Sequence, residues 1–296
     1  MRSNKRCMIG VQSLERPLGS TTKKIIFFFL GAMLMGCNHL FYYPDNHVYF
    51  NPETSPLKFE SGFIKTDDGE QIHYWDFAPQ PDSYRGTILH FHGNAQNMSS
   101  HMFFVVWLIE FGYRVVTFDY RGYGQSSGHP SPAGLVKDGQ AMIRWLCKNA
   151  RSPLTVIGQS LGGAVAMPSI TSVESHCIQN LVLESTFASY RDMARDKLAS
   201  FFLTWPFQYP LSLLVNDDWA AIHTIHEIEV PTLVIHGESD PVVPFKFGQE
   251  IFDRLTMAEK EIWPMPEAGH TEAFVPDSPV RSRLIDYLSQ WPKSGM

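Results

Sequence analysis

Three residues far apart in the chain could do chemistry together: Ser160, Asp240 and His270. Ser160 lies in Thr155-Val156-Ile157-Gly158-Gln159-Ser160-Leu161-Gly162-Gly163, where β-prone residues run into a Gly-x-Ser-x-Gly pentapeptide. The pattern predicts a strand that ends in a strained turn, with a helix starting directly behind it, the form of a nucleophile elbow. Gly158 and Gly162 lack a Cβ, which lets strand and helix approach closely around the turn. The serine Oγ then projects outward, and the helix N-terminus aims N–H groups and partial positive charge at a developing oxyanion. A serine also needs a base, and the base needs an acid to orient it. Asp240 follows the apolar run Thr232–His236, and His270 follows Glu261–Trp263. Each is expected on a loop at the carboxyl end of a strand, so all three open on one edge of a parallel sheet. Their order, serine then acid then histidine, is the one used with this type of elbow. The chemistry is acyl transfer: His270 takes the Ser160 proton, and Asp240 fixes the imidazole tautomer and steadies the cation. Glu238 and Glu184 are rival acids; the Asp-Pro-x-x-Pro context favours Asp240, and Glu184 reads as a structural carboxylate satisfying loop N–H groups.

An oxyanion needs two donors. One is the backbone N–H of Leu161, the residue after the nucleophile, and the other belongs on the loop after the third strand. That loop is His90-Phe91-His92-Gly93-Asn94-Ala95-Gln96-Asn97. Gly93 lets it turn inward, which makes the N–H of Asn94 the expected second donor, with Ala95 as the neighbouring choice. His92 reads as a brace for the loop. In Asp119-Tyr120-Arg121-Gly122-Tyr123-Gly124, the glycines suggest a tight loop with Asp119 and Arg121 as structural partners.

The elements that must hold these loops follow from periodicity. Leu57–Lys65 and Gln71–Ala78 alternate around Asp67-Asp68-Gly69, which predicts a β-hairpin. Strands are then expected at Gly86–Phe91, Arg114–Asp119, Leu154–Gly158, Gln179–Glu184, Thr232–His236 and Glu261–Trp263, with helices at about 98–111, 133–149, 161–173, 246–256 and 279–291. Strands as apolar as Leu181-Val182-Leu183 suit a parallel sheet buried on both faces. The fold class is therefore α/β, a mixed, mostly parallel doubly wound sheet with a short helical cap. With 296 residues, 44% hydrophobic and 18% charged, the chain can bury one large core. A formal net charge of −6 and no long basic run exclude a nucleic-acid footprint. The cysteines Cys7, Cys37, Cys147 and Cys177 form no metal-ligand spacing, and no metal or organic cofactor is implied. Cys147 and Cys177 could pair in an oxidising compartment if their Cα atoms come within range.

The N-terminus has its own logic. A basic stretch precedes the apolar run Ile25–Gly36, which is too short for a comfortable membrane span, and Cys37 follows at once. The ending Leu34-Met35-Gly36-Cys37 resembles the bacterial lipobox. That resemblance implies a signal peptide over residues 1–36, lipidation of Cys37, and attachment in the cell envelope; Asn38 points to the outer membrane, facing the periplasm. The alternative is an uncleaved anchor helix. Residues 37–56 are expected as a lipid-attached arm packed on a domain spanning 57–296.

The motifs at residues 90–97, 119–128, 158–162, 236–244 and 268–270 together resemble the α/β-hydrolase superfamily, in its branch of small serine esterases, lysophospholipases and thioesterases with His-Gly-Asn-Ala. The resemblance covers about residues 57–291. It implies a serine hydrolase acting on carboxylic esters or thioesters through an acyl-enzyme, and a cap at about 186–229. That cap is rich in aromatic residues, from Phe187 and Tyr190 to Phe207 and Tyr209, and some are expected to form an apolar acyl slot beside Ser160. The implied partner is a small acyl ester or lysophospholipid-like molecule near a membrane. The competing readings are a serine peptidase on the same fold and a non-catalytic envelope scaffold.

Overall fold

In the computed structural model residues 41–80, 84–149, 153–174 and 176–290 are described. Met1–Cys37 and Asn38–Met296 form separate units, and the expected signal segment and Cys37 lie outside the described residues. Among the described residues no helix is long and apolar enough to cross a membrane.

The second unit is built on eight strands: β1 (Phe59–Lys65), β2 (Gln71–Phe77), β3 (Gly86–Phe91), β4 (Tyr113–Phe118), β5 (Leu154–Gln159), β6 (Ile178–Glu184), β7 (Thr232–Gly237) and β8 (Lys260–Met265). Its helices are α1 (Met98–His101), α2 (Pro132–Asn149), α3 (Leu161–Thr171), α4 (Tyr190–Ser200), α5 (Gln208–Ser212), α6 (Phe245–Arg254) and α7 (Pro279–Ser289). The sheet order is β1-β2-β4-β3-β5-β6-β7-β8. The pairs β1–β2 and β2–β4 are antiparallel, and the other five are parallel. This is the mixed, doubly wound arrangement expected from the chain. Pro264 is tolerated in β8 because that strand is an edge.

Alternate residues of the central strands feed two apolar layers. Leu89, Val156, Leu181 and Val234 pack with α2, α3 and α6. Ile88, Ile157, Val182 and Leu233 pack on the other face with α7 and residues 98–109. Helix α3 is buried from Leu161 to Ile170, so it is apolar all round and has no solvent face to define. Cys147 and Cys177 are joined in a disulfide that ties the end of α2 to the approach to β6, with Cα atoms 5.6 Å apart.

The single helix expected at 98–111 is instead broken. Four residues of α1 lead into 3₁₀ turns at Met102–Phe104 and Val106–Phe111. Val105 leaves the helical region at φ −128°, and Gly112 ends the segment in the left-handed region at φ 87°. Phe103, Val105, Val106, Trp107 and Ile109 are β-branched or aromatic and hold a regular helix poorly.

Candidate active site

The elbow forms as its residue types require. Ser160 adopts φ 52° and ψ −119°, a conformation that strains any residue with a side chain, at a cost of about 1–3 kcal/mol. Three hydrogen bonds hold it there. Its N–H donates to the Glu184 carbonyl at 2.9 Å, and its own carbonyl accepts from Gly163 N–H at 3.1 Å and from Thr186 Oγ1 at 2.6 Å. The glycines serve close approach: a Cβ on Gly162 would lie 2.0 Å from the Phe91 carbonyl oxygen. That contact brings the start of α3 against the end of β3, and so against the loop carrying Gly93 and Asn94.

The acid and histidine loops converge on the same edge. Ser160 Oγ is 3.0 Å from His270 Nε2, and His270 Nδ1 is 2.8 Å from Asp240 Oδ2. The other carboxylate oxygen, Asp240 Oδ1, accepts from the N–H groups of Val242 and Val243, both at 2.8 Å. Burial pushes the Asp240 carboxyl up, but the hydrogen bonds from His270, Val243 and Val242 outweigh it and hold the group below the usual carboxylate range. Behind it, buried His236 approaches Asp240 Oδ2 at 3.7 Å and the Val243 carbonyl at 2.7 Å. Burial lowers its pKa, so a neutral imidazole with Nε2 protonated closes this corner. Of the rival acids, Glu238 is exposed and Glu184 points elsewhere.

A pocket of about 310 Å³ opens over Ser160, lined by Gly93, Asn94, Gln96, Ser100, His101, Phe104, Gln159, Val242, His270 and Thr271. Three of these, Ser100, His101 and Phe104, come from the broken segment after β3, which carried no site residue in the sequence reading. Burial drives the pKa of His101 down to about 3, which keeps this pocket wall neutral. The expected aromatic acyl slot is not formed by the cap. Phe187, Tyr190 and Met193 are buried in the core, while Phe201, Phe202, Trp205, Phe207 and Tyr209 are exposed.

A model of the family described as serine aminopeptidase S33 (Hydrolase_4) matches residues 82–217. YfhR of Escherichia coli K12 is 32% identical over 260 residues, covering 84% of this chain and 86% of YfhR. The chain belongs to the α/β-hydrolase superfamily. A lysophosphatidylserine lipase, ABHD12 of Danio rerio, is 32% identical over 212 residues, 64% of this hydrolase and 51% of that protein. Among solved structures, the Pyrococcus furiosus esterase Pf2001 superposes with a TM-score of 0.69 at 24% identity, over 85% of this chain and 98% of the esterase.

Around the pocket of this hydrolase lie two further sets of hydrogen bonds, whose pairings were not legible in the sequence although the packed arm and the structural roles of His92 and Glu184 were. The first clasps the arm. Asn94 Oδ1 accepts from Tyr43 N–H, Ala95 N–H and the Tyr123 hydroxyl, and Asn94 Nδ2 donates to the Phe41 carbonyl at 2.6 Å. Asn97 Nδ2 donates to the carbonyls of Asp45 and His47, and Ser99 Oγ accepts from Tyr49 N–H. Residues 41–49 are thereby bound along the pocket loop. The Ala95 N–H, considered as an oxyanion donor, is consumed by Asn94 Oδ1. Leu161 opens α3, and the first N–H groups of a helix have no intrahelical acceptor. His92 braces the loop, with Nδ1 at 2.7 Å from the Gly93 carbonyl and its own carbonyl accepting from Tyr120. Asp119 accepts from Met98 N–H, and Arg121 pairs with Asp138 and Asp68.

The second set lies beneath the elbow. Glu184 Oε2 accepts from Gln159 Nε2, and Glu184 Oε1 accepts from Ala273 N–H at 2.7 Å. Gln159 Oε1 lies 2.7 Å from His90 Nε2, and His90 Nδ1 lies 3.3 Å from Thr117 Oγ1. Burial lowers the His90 pKa to about 3, so its neutral ring donates from Nε2 and accepts at Nδ1. Ser185 Oγ accepts from Thr271 N–H at 3.2 Å. Residues 184–186 therefore grip the elbow with one set of atoms and the histidine loop with another. Among the described residues no cluster of histidine, cysteine and carboxylates could hold a metal ion.

Proposed function

We propose that this α/β-hydrolase is a serine hydrolase of carboxylic esters or thioesters, with Ser160 as nucleophile, His270 as general base and acid, and Asp240 as the orienting carboxylate. The observation carrying the proposal is the hydrogen-bonded line from Ser160 Oγ through His270 to Asp240 at 3.0 and 2.8 Å, ending on a serine held at positive φ. Ser160 Oγ attacks the acyl carbon as its proton passes to His270 Nε2. The tetrahedral oxyanion takes hydrogen bonds from the N–H groups of Leu161 and Asn94, and a donor of this kind is worth about 10²–10³ in kcat. His270 then protonates the departing alcohol or thiol, leaving an acyl-enzyme. Water, deprotonated by His270, attacks that acyl carbon; the acid leaves and Ser160 recovers its proton.

The family description raises a peptidase as the second reading. Capture of a free amine requires a carboxylate in the pocket, and the lining residues contribute neither Asp nor Glu. That supports an ester over an aminopeptidase substrate. The lipase activity of the relative ABHD12 and the esterase fold neighbour point the same way, toward an acyl ester or lysophospholipid-like molecule. The apolar run Ile25–Gly36 before Cys37 supports a lipid-anchored protein of the bacterial envelope, and the Cys147–Cys177 disulfide fits an oxidising compartment.

A fluorophosphonate probe tests the nucleophile. Wild-type protein is expected to label, and the Ser160→Ala variant to remain unlabelled with an unchanged circular dichroism spectrum. A folded wild type that refuses the probe would leave the scaffold reading in place. Hydrolysis of matched esters, thioesters and peptide amides then ranks the bond types.

A further inference from the structure

The cap carries a charge-free, apolar segment that the pocket does not use. From Leu198 to Asn216 the chain runs nineteen residues without Asp, Glu, Lys, Arg or His. Exposed on it are Phe202 at 77%, Leu213 at 65%, Tyr209, Trp205, Leu203 and Phe207. A monomer in water rarely displays so many large apolar side chains from one short segment. Trp and Tyr among them are the residues that favour the boundary between water and lipid.

The arm links this face to the expected tether. Phe41 packs edge-on against Tyr190, the first residue of α4, with ring centroids 5.8 Å apart. Helix α5 and the preceding turn pack in turn on α4, and the Arg195 guanidinium sits over the Tyr209 ring at 5.0 Å. Four peptide steps separate Cys37 from Phe41, and a fully extended chain covers at most about 14 Å over that length. Whatever anchors residue 37 therefore holds Phe41 within that reach, and Phe41 packs on the base of the cap.

We propose that the apolar cap segment from Phe201 to Leu214, itself free of charged residues, docks on a lipid bilayer, seating its aromatic side chains among the headgroups and upper acyl chains. The inference rests on the reading of Cys37 as a membrane tether. Docking through this face is hydrophobic, so it requires no anionic lipid and is insensitive to salt. Its effect on the hydrolase is to keep the Ser160 pocket beside an acyl substrate dissolved in the same membrane.

The test uses the full chain with vesicles of phosphatidylcholine whose acyl chains carry bromine near the headgroup. Bromine is expected to quench tryptophan fluorescence, and the Trp205→Phe variant to lose most of that quenching, at low and high salt alike. The Phe202→Asp/Phe207→Asp variant is expected to hydrolyse a vesicle-borne ester about 10-fold more slowly than wild type, with a soluble short-chain ester unaffected. Equal quenching in Trp205→Phe and wild type overturns the proposal, as does binding that needs anionic lipid or disappears in salt. Self-association of the full chain that the aspartate pair abolishes also overturns it, because a second copy would then be the occupant. Wild type that fails on the soluble ester removes the hydrolase reading and leaves the quenching result standing on its own.

Discussion

Replacing either Ser160 or His270 by alanine should lower kcat/KM by roughly 10⁴–10⁶, and replacing both should lower it no further. The expectation follows from their hydrogen bond. With the imidazole gone, the hydroxyl has no acceptor for its proton; with the hydroxyl gone, the imidazole has nothing to activate. Neither side chain is a large packing element: Ser160 lies at the pocket floor and the His270 side chain is 20% exposed. Steady-state kinetics on a soluble ester, with thermal unfolding as a control for folding, checks the prediction. Multiplicative losses in the double variant would mean that the two residues act in separate steps.

The second large effect is expected at Glu184. Removing its carboxylate in Glu184→Ala strands the Gln159 amide and the Ala273 N–H in the core. At about 1–3 kcal/mol for each orphaned group, stability should fall by about 2–6 kcal/mol. Loosening the tie between elbow and histidine loop should also cut kcat, on the order of 10²-fold for a misplacement of about 1 Å. Glu184→Gln should behave differently, because the polar chain can reverse. The introduced amide donates to Gln159 Oε1, Gln159 Nε2 donates to His90 Nε2, and His90 Nδ1 donates to Thr117. Every buried group keeps a partner, and kcat should stay within a few-fold of wild type.

The two Glu184 variants also separate charge from structure through pH. Burial raises the Glu184 pKa to about 7, against an unfolded value near 4.5. The folded protein thus binds a proton over a range where the unfolded chain does not. The associated stability is fully present below about pH 4.5 and is lost as pH rises through about 7, on the order of 3 kcal/mol in all. Glu184→Gln lacks this titration. Denaturant unfolding at pH 5 and pH 8 should show wild type losing stability relative to Glu184→Gln across that interval. A constant difference between the two proteins would remove the buried carboxyl from the account.

What the sequence disclosed and withheld follows from the kinds of signal involved. The strands of the parallel sheet were legible because burial on both faces leaves continuous apolar runs, as in Leu181-Val182-Leu183. The elbow was legible because its turn demands glycine at fixed positions, and Asp240 and His270 because each follows such a run. The segment after β3 was misread as one helix because its apolar spacing suits a 3₁₀ turn equally well. The acyl slot was not legible for a related reason: the cap's short pieces, with Pro206 and Pro210 among them, carry no period that would distinguish a residue facing the pocket from one facing water. The Asn94 clasp and the Gln159–Glu184 tie join positions 25 to 53 residues apart, and such hydrogen bonds leave no periodic trace.

The arm sets where this hydrolase can be cut. Residues 41–49 lie ahead of the sheet, and their backbone atoms complete the bonding of Asn94 and Asn97. A soluble version beginning at Asn38 keeps those partners. One beginning at Leu57, just ahead of β1, leaves the Asn94 and Asn97 side chains without them. The shorter protein should keep its far-ultraviolet spectrum and lose esterase turnover and probe labelling together. The boundary of the catalytic machinery, and therefore the minimal unit for expression, lies some twenty residues ahead of the first strand.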